Sequence, residues 1–220
     1  MVITIGIDPG KTGALAVVGD GTEVLFLDHP PTHGTGAKSV YDAAAMNRMV
    51  APWGRGRAYH WEEQMAAAIE RVQAAEDDDD AFFANQDILY ALVKQRKQML
   101  SRTVALAVIE NQQSRAGSAP QSVLATGRGW GMWLGILAAN GIPTERVSTL
   151  KWQGALGCKL SRPKDDKLTD SKWLTIKKAH HVAQAVQLFP TEPRLTKSKD
   201  GFADALLQAV YAHRVVTGRQ

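Results

Sequence analysis

Two apolar runs that each stop at a carboxylate set the terms on which this chain can fold. The first, VITIGID, ends at Asp8, and the second, VALAVIE, ends at Glu110. Short runs rich in Val and Ile read as strands, and VALAVIE, continuous and apolar, belongs in a buried central position. An acid at the end of a buried strand is costly unless something cationic meets it. Two further acids, Asp200 and Asp204, stand in KDGFADALLQAV, the start of a C-terminal helix. Two strand ends and a helix start can bring these four carboxylates together. Clustered carboxylates repel and raise one another's pKa unless a cation neutralises them. Hard oxygen donors suit Mg²⁺ or Mn²⁺.

The rest of the pattern is mixed α/β. Gly13 to Val18 and Glu23 to Asp28 read as strands, reached through the turns PGKTG and GDG, so the chain opens as an antiparallel meander. His29 to Lys38, rich in Pro, Gly and Thr, is expected to be a loop. Ser39, with Asp42 three residues on, is expected to cap a helix that PWGRGR then breaks. An alanine-rich helix over Glu62 to Glu76 and a second helix after the DDDD run (Asp77 to Asp80) form a helical insertion around residues 53–101. The aspartate run itself reads as a solvated cap, since consecutive residues on one helix do not converge. Ser122 to Ala139 is predicted helical and stops at Gly141-Ile142-Pro143. Val147 is expected to begin a short strand, Lys159 to Ser171 to be a basic loop, Ser171 to Leu188 and Asp200 to Arg214 to be helices. One sheet with helical covers accounts for this order. At 220 residues, a single domain over 1–220 is the expectation.

Composition narrows the class. The lone cysteine, Cys158, excludes an internal disulfide and argues against a cysteine zinc site, which favours a reducing cytoplasm. No apolar stretch is long enough for a bilayer, and MVITIGID has no basic leader. The formal net charge is +4, but the charge is uneven. Glu62 to Asp80 holds eight acids and one base, whereas Lys151 to Lys199 holds eleven bases and four acids. That late basic excess is a footprint for a polyanion, or a plainly solvated surface.

Basic surface and clustered acids together point to phosphodiester hydrolysis. Two divalent ions roughly 3.5–4 Å apart activate water and neutralise charge at the scissile phosphate. Asp8 is the candidate to bridge them, with Glu110 and Asp204 as outer ligands. Asp200 lies four residues before Asp204, on the same helix face. Singly, each has a plainer reading: Asp8 precedes the turn former Pro9-Gly10, and Asp200 suits a helix cap. Glu110 has no local backbone role. Trp152 and Trp173 sit among lysines, where they either pack in the core or stack on a base. His180 and His181 read as surface residues of the basic helix. GRGWG lies inside a helical pattern, which argues against a dinucleotide loop.

IGIDPGKTGALAVV, then VIENQQ, then DGFADALLQAV resemble, in order, the three blocks of RuvC-type Holliday junction resolvases, the divergent phage-like members above all. GRGWGMWLGILAANGIP followed by V-x-x-x-K-W is similar to the family's middle region. The resemblance covers the chain outside roughly residues 52–101. It implies a ribonuclease H-like fold, a five-stranded mixed sheet flanked by helices. It implies a homodimer that nicks four-way DNA with Mg²⁺ or Mn²⁺, two ions per site. Asp8, Glu110 and Asp204 become metal ligands. The fourth ligand falls on Asp200, because the usual position is Gly201 here. The DNA-facing residues become Lys11, Gln112, Gln113, Arg115, Lys151, Lys172, Lys177 and Lys178. Gln113 stands where bacterial family members carry an aromatic residue, so general cleavage of branched DNA, flaps and Y-forks included, in place of strict four-way junction preference is a second expectation. An actin-like or sugar-kinase ATPase, suggested by DPGKTG, lacks its other two blocks. A non-catalytic nucleic-acid binder would gain nothing from carboxylates beside phosphate.

Overall fold

The computed structural model describes residues 1–10, 12–34, 39–54, 66–74, 85–88, 90, 93, 104–111, 120–163, 165, 167–197 and 200–219. The meander expected of the first residues is β1 (Ile3–Asp8), β2 (Ala14–Gly19) and β3 (Glu23–Asp28). The β2–β3 turn places Asp20 and Gly21 in left-handed backbone, at φ 47° and 79°. β6 (Val104–Glu110) and β7 (Thr144–Val147) join β1 in parallel, giving one mixed sheet in the order β3-β2-β1-β6-β7. Strand VALAVIE is therefore internal, as its unbroken apolar run requires.

Alternation divides the sheet into two buried faces. Ile3, Ile5 and Ile7 of β1 point toward α1 (Ala43–Val50) and α2 (Pro120–Ala139), where Met46, Trp133 and Leu137 complete a core. Full burial of each isoleucine contributes ~1.5–3 kcal/mol. Thr4, Gly6 and Asp8 take the opposite face, which is covered by α5 (Asp200–Thr217) and, beside it, by α3 (Thr149–Leu156) and α4 (Asp170–Leu188). α5 rests directly on β1. Thr4 Oγ1 donates to Ala209 O at 2.9 Å, and a β-carbon at Gly6 would collide with Ala205 O and Ala209 N. Gly6→Ala is therefore expected to lift α5 from the sheet, at a cost of ~3 kcal/mol or more. Urea unfolding measures it, and an unchanged midpoint would contradict this contact.

Several local expectations need correction. The segment His29 to Lys38 contains β4 (Thr32–His33), which pairs with β5 (Val40–Tyr41). That pairing holds the chain extended through Tyr41, so Asp42 rather than Ser39 caps α1, accepting from Ala45 N at 2.9 Å. Val147 ends a strand instead of beginning one. Ser148 then caps α3, a helix the sequence reading did not contain. In the insertion, residues 66–74 are helical, but the DDDD run lies outside the described residues. Among the described residues no helix is long and apolar enough to cross a membrane.

Candidate active site

The parallel pairing of β1 with β6 sets Ile7 level with Ile109. The next residue of each strand is an acid, so Asp8 and Glu110 leave the sheet edge side by side. Both face the layer that holds α5, and α5 begins over the turn after β1. A β-carbon at Gly201 would strike Thr12 O and Gly13 Cα, so this position has no room for a side chain. That packing excludes a carboxylate at position 201, and the acid at the helix start is Asp200. The turn itself is braced from two sides. Tyr41 Oη donates to Pro9 O at 3.1 Å, and His29, stacked on Phe202, donates from Nδ1 to Gly13 O at 2.6 Å.

Asp8 is the most perturbed of the acids. Its carboxyl is pushed from 3.8 up to about 7, first by burial, then by the charges of Asp204 and Glu110. Among the described residues its counterweight is a long hydrogen bond from Gly10 N, at 3.4 Å, with Asp200 adding a smaller upward push. Among the described residues no cation pairs with it. Burial and Asp8 also push the Tyr41 phenol up to about 12.

Glu110 is also raised by burial, but two donors oppose that. Thr149 Oγ1 donates to Oε1 at 2.7 Å, and Trp152 Nε1 donates to Oε2 at 3.0 Å. Asp204 raises it further, and Lys177 lowers it. Asp204 Oδ1 accepts from His181 Nδ1 at 2.7 Å. Asp200 is paired with Lys178, Nζ to Oδ2, at 2.5 Å.

The four carboxylates thus sense one another electrostatically without closing on one point. Among the described residues no three His, Cys, Asp or Glu side chains form a ready cation cage. Each acid but Asp8 is instead drawn to a neighbour: Glu110 to Thr149 and Trp152, Asp204 to His181, Asp200 to Lys178. The donor set still fits a hard divalent ion: it is all carboxylate, and Asp8, half-buried among like charges, carries a raised pKa that a cation would relieve.

The basic candidates separate into groups. Lys177 lies close enough to influence Glu110, and Lys178 spends its charge on Asp200. Lys172 is exposed near the start of α4. Lys151 pairs with Glu145 at 2.6 Å, on the surface. Lys11, Gln112, Gln113 and Arg115 lie outside the described residues. Trp152 is fully buried, which settles it as core rather than a stacking platform. His181, expected at the surface, is only 4% exposed. The α4 stripe Lys177, His181, Ala185 repeats every four residues and turns His181 inward beside Trp152, although its lysine neighbours look solvated. Thr149 and Tyr41 carried no sequence signal. A capping serine before Thr149 could have flagged α3, but nothing local places a side chain on a carboxylate 39 residues away.

This sheet order, with the acids at one edge and a long C-terminal helix across it, is that of a ribonuclease H-like fold. Its likeness among solved structures is to RuvC. The structure of T. thermophilus RuvC in complex with a Holliday junction substrate aligns with a TM-score of 0.50 and 15% identity, over 99% of this chain and 97% of that one. A second Thermus thermophilus RuvC structure aligns with a TM-score of 0.43, 16% identity and the same coverage. No family model matches the sequence. No curated protein matches it either.

Proposed function

We propose that this chain is a single-domain, divalent-metal-dependent endodeoxyribonuclease that resolves four-way DNA junctions by paired nicks, acting as a homodimer. The observation that carries this reading is the register of β1 and β6, which delivers Asp8 and Glu110 side by side beneath the start of α5. The RuvC-like fold supports it, as does the neighbour's junction complex.

In this reading Asp8, Glu110 and Asp204 hold Mg²⁺ or Mn²⁺, with Asp200 as a fourth ligand once released from Lys178. The bound ions would supply an activated water and neutralise charge at the scissile phosphate. The chain does the rest. Partial burial beneath α5 limits the contact of Asp8 with bulk solvent, which strengthens its hold on a cation. Thr149 and Trp152 favour the ionised form of Glu110 by donating to it, against the upward push of burial. Lys177 offsets the acids nearby, and Lys172 and Lys178 extend positive charge along α4 toward the phosphate backbone. Lys151 adds to it beyond its pair with Glu145. Lys11, Gln112, Gln113 and Arg115 complete the proposed DNA contacts.

The test is a cleavage panel of four-way junction, flap, Y-fork and duplex substrates with Mg²⁺ or Mn²⁺. Symmetric nicks in the junction, with duplex left intact, are expected. Preferential flap or fork cutting would replace junction resolution with general branched-DNA cleavage, and no metal-dependent cutting of any substrate would end the proposal. On the same junction, binding is expected to weaken steeply with salt. Lys177→Ala with Lys178→Ala is expected to reduce the slope of log affinity against log salt by ~1–2. An unchanged slope would remove α4 from the DNA interface.

A further inference from the structure

Two of the acids are held by a single pair of touching rings. Trp152 and His181 pack at 5.4 Å between centroids, tilted by 60°. Trp152, on α3, turns its indole N–H to Glu110 Oε2. His181, on α4, turns Nδ1 to Asp204 Oδ1. An ionised carboxylate only accepts, so Nδ1 carries a proton and donates it to Asp204 Oδ1. Nε2 is buried and has no partner among the described residues, so the ring is oriented by its one bond to Asp204.

Ordinary core satisfaction does not account for this. Trp133 is equally buried, and its Nε1 has no partner among the described residues. The core therefore tolerates an indole without an acceptor. The Trp152 indole has a carboxylate acceptor, and its ring neighbour has another. Glu110 and Asp204 come from a strand and a helix far apart in sequence, yet their orientations are set from one place. Each retains capacity for a cation. Glu110 spends one acceptor site on each oxygen, and Asp204 spends Oδ1 and keeps Oδ2.

We infer that Trp152 and His181 are positioning residues that work as one bracket, orienting Glu110 and Asp204 together for the uptake of a divalent cation. The inference rests on the metal-dependent reading above. Hydrogen-bond partners of metal-binding carboxylates fix their orientation, and removing them weakens metal affinity by ~10–100-fold.

The test is a Mn²⁺ titration of the DNA-free protein, reading free Mn²⁺ by electron paramagnetic resonance. Trp152→Phe keeps a ring and removes the donor, and His181→Leu removes the other donor. Each is expected to weaken Mn²⁺ binding ~10–100-fold. His181→Asn places an amide N–H near the position of Nδ1 and is expected to stay within ~3-fold of wild type. The double variant Trp152→Phe/His181→Leu is expected to lose less than the product of the single losses, because the second change acts on a bracket already broken. If His181→Leu does not fold, Trp152→Phe and His181→Asn carry the test. Wild-type Mn²⁺ affinity in Trp152→Phe, or equal weakening in His181→Asn and His181→Leu, overturns the bracket and leaves the metal reading intact. No Mn²⁺ binding by the wild-type protein overturns the metal reading itself.

Discussion

Asp8→Asn is expected to abolish junction cleavage while leaving junction binding within ~3-fold of wild type. The substitution keeps the side chain's shape and can keep the acceptor that Gly10 N reaches. It removes the one negative charge that sits at the end of β1 with Asp204 and Glu110 acting on it. A bound metal supplies several kcal/mol of transition-state charge stabilisation, so losing a central ligand should slow cleavage by ~10³-fold or more. In the proposed reading binding rests on the lysines rather than on this acid, and one fewer negative charge near phosphate is not expected to weaken it. Single-turnover cleavage of a synthetic junction, beside a gel-shift titration in EDTA, separates the two effects. Cutting at the wild-type rate in Mg²⁺ would remove Asp8 from the chemistry.

The second large effect is on stability and needs no DNA. Asp8 has a folded-state pKa of about 7, above its ordinary 3.8. Between those values the folded protein binds more protons than the unfolded chain, so its stability falls as pH rises. The contribution is fully present below about pH 4 and is lost as pH climbs through about 7. Glu110, also raised, pushes the same way. Asp42 and Glu192 are lowered, and their contributions are lost only in more acidic solution. The metal-free protein is therefore expected to melt at lower temperature at pH 8 than at pH 5. The gap at Asp8 sets a ceiling of ~4 kcal/mol, reduced by its coupling to the other acids to roughly 2 kcal/mol. At ~2–4 °C per kcal/mol for a chain of this size, Asp8→Asn should raise the pH 8 melting temperature in EDTA by ~4–8 °C. Mg²⁺ should raise the wild-type value by mass action and leave the variant nearly unmoved. A wild-type melting temperature that is flat across pH 5–8 would contradict the burial of this charge.

The opposite response of one variant in the two assays is informative. A residue that merely supported the fold would lose stability and activity together. Asp8→Asn should gain one and lose the other, the pattern of a strained charge kept for function.

The two strands that carry Asp8 and Glu110 were legible because each is a short apolar run that a single acid interrupts at its end. α5 was legible for a related reason, since its small residues and apolar period mark a helix that must lie flat on something. β7 and α3 were not. TERV is four residues long and half-exposed, too short to show a period, and only the Ser148 side chain marks where the helix begins. His181 was misplaced because local charge described its neighbours and not its face of α4. The Trp152–His181 contact joins two helices through a basic loop, and no local pattern encodes it. The pairing of Asp200 with Lys178 is of the same kind: the sequence offers each as a candidate, a metal ligand and a DNA contact, but not as the other's partner. Gly201 shows the converse. Its lack of a side chain looked like a departure from the family pattern, and the close approach of Thr12 and Gly13 explains it.

Whether these carboxylates share a divalent cation can be read from a crystal of the protein grown with Mn²⁺ and measured for anomalous scattering at the manganese edge. Anomalous density beside Asp8, within reach of Glu110 and Asp204, is expected, with the three carboxylates drawn closer together than they are here. Manganese bound elsewhere, or these acids unmoved and without density between them in crystals saturated with the ion, would contradict a shared site.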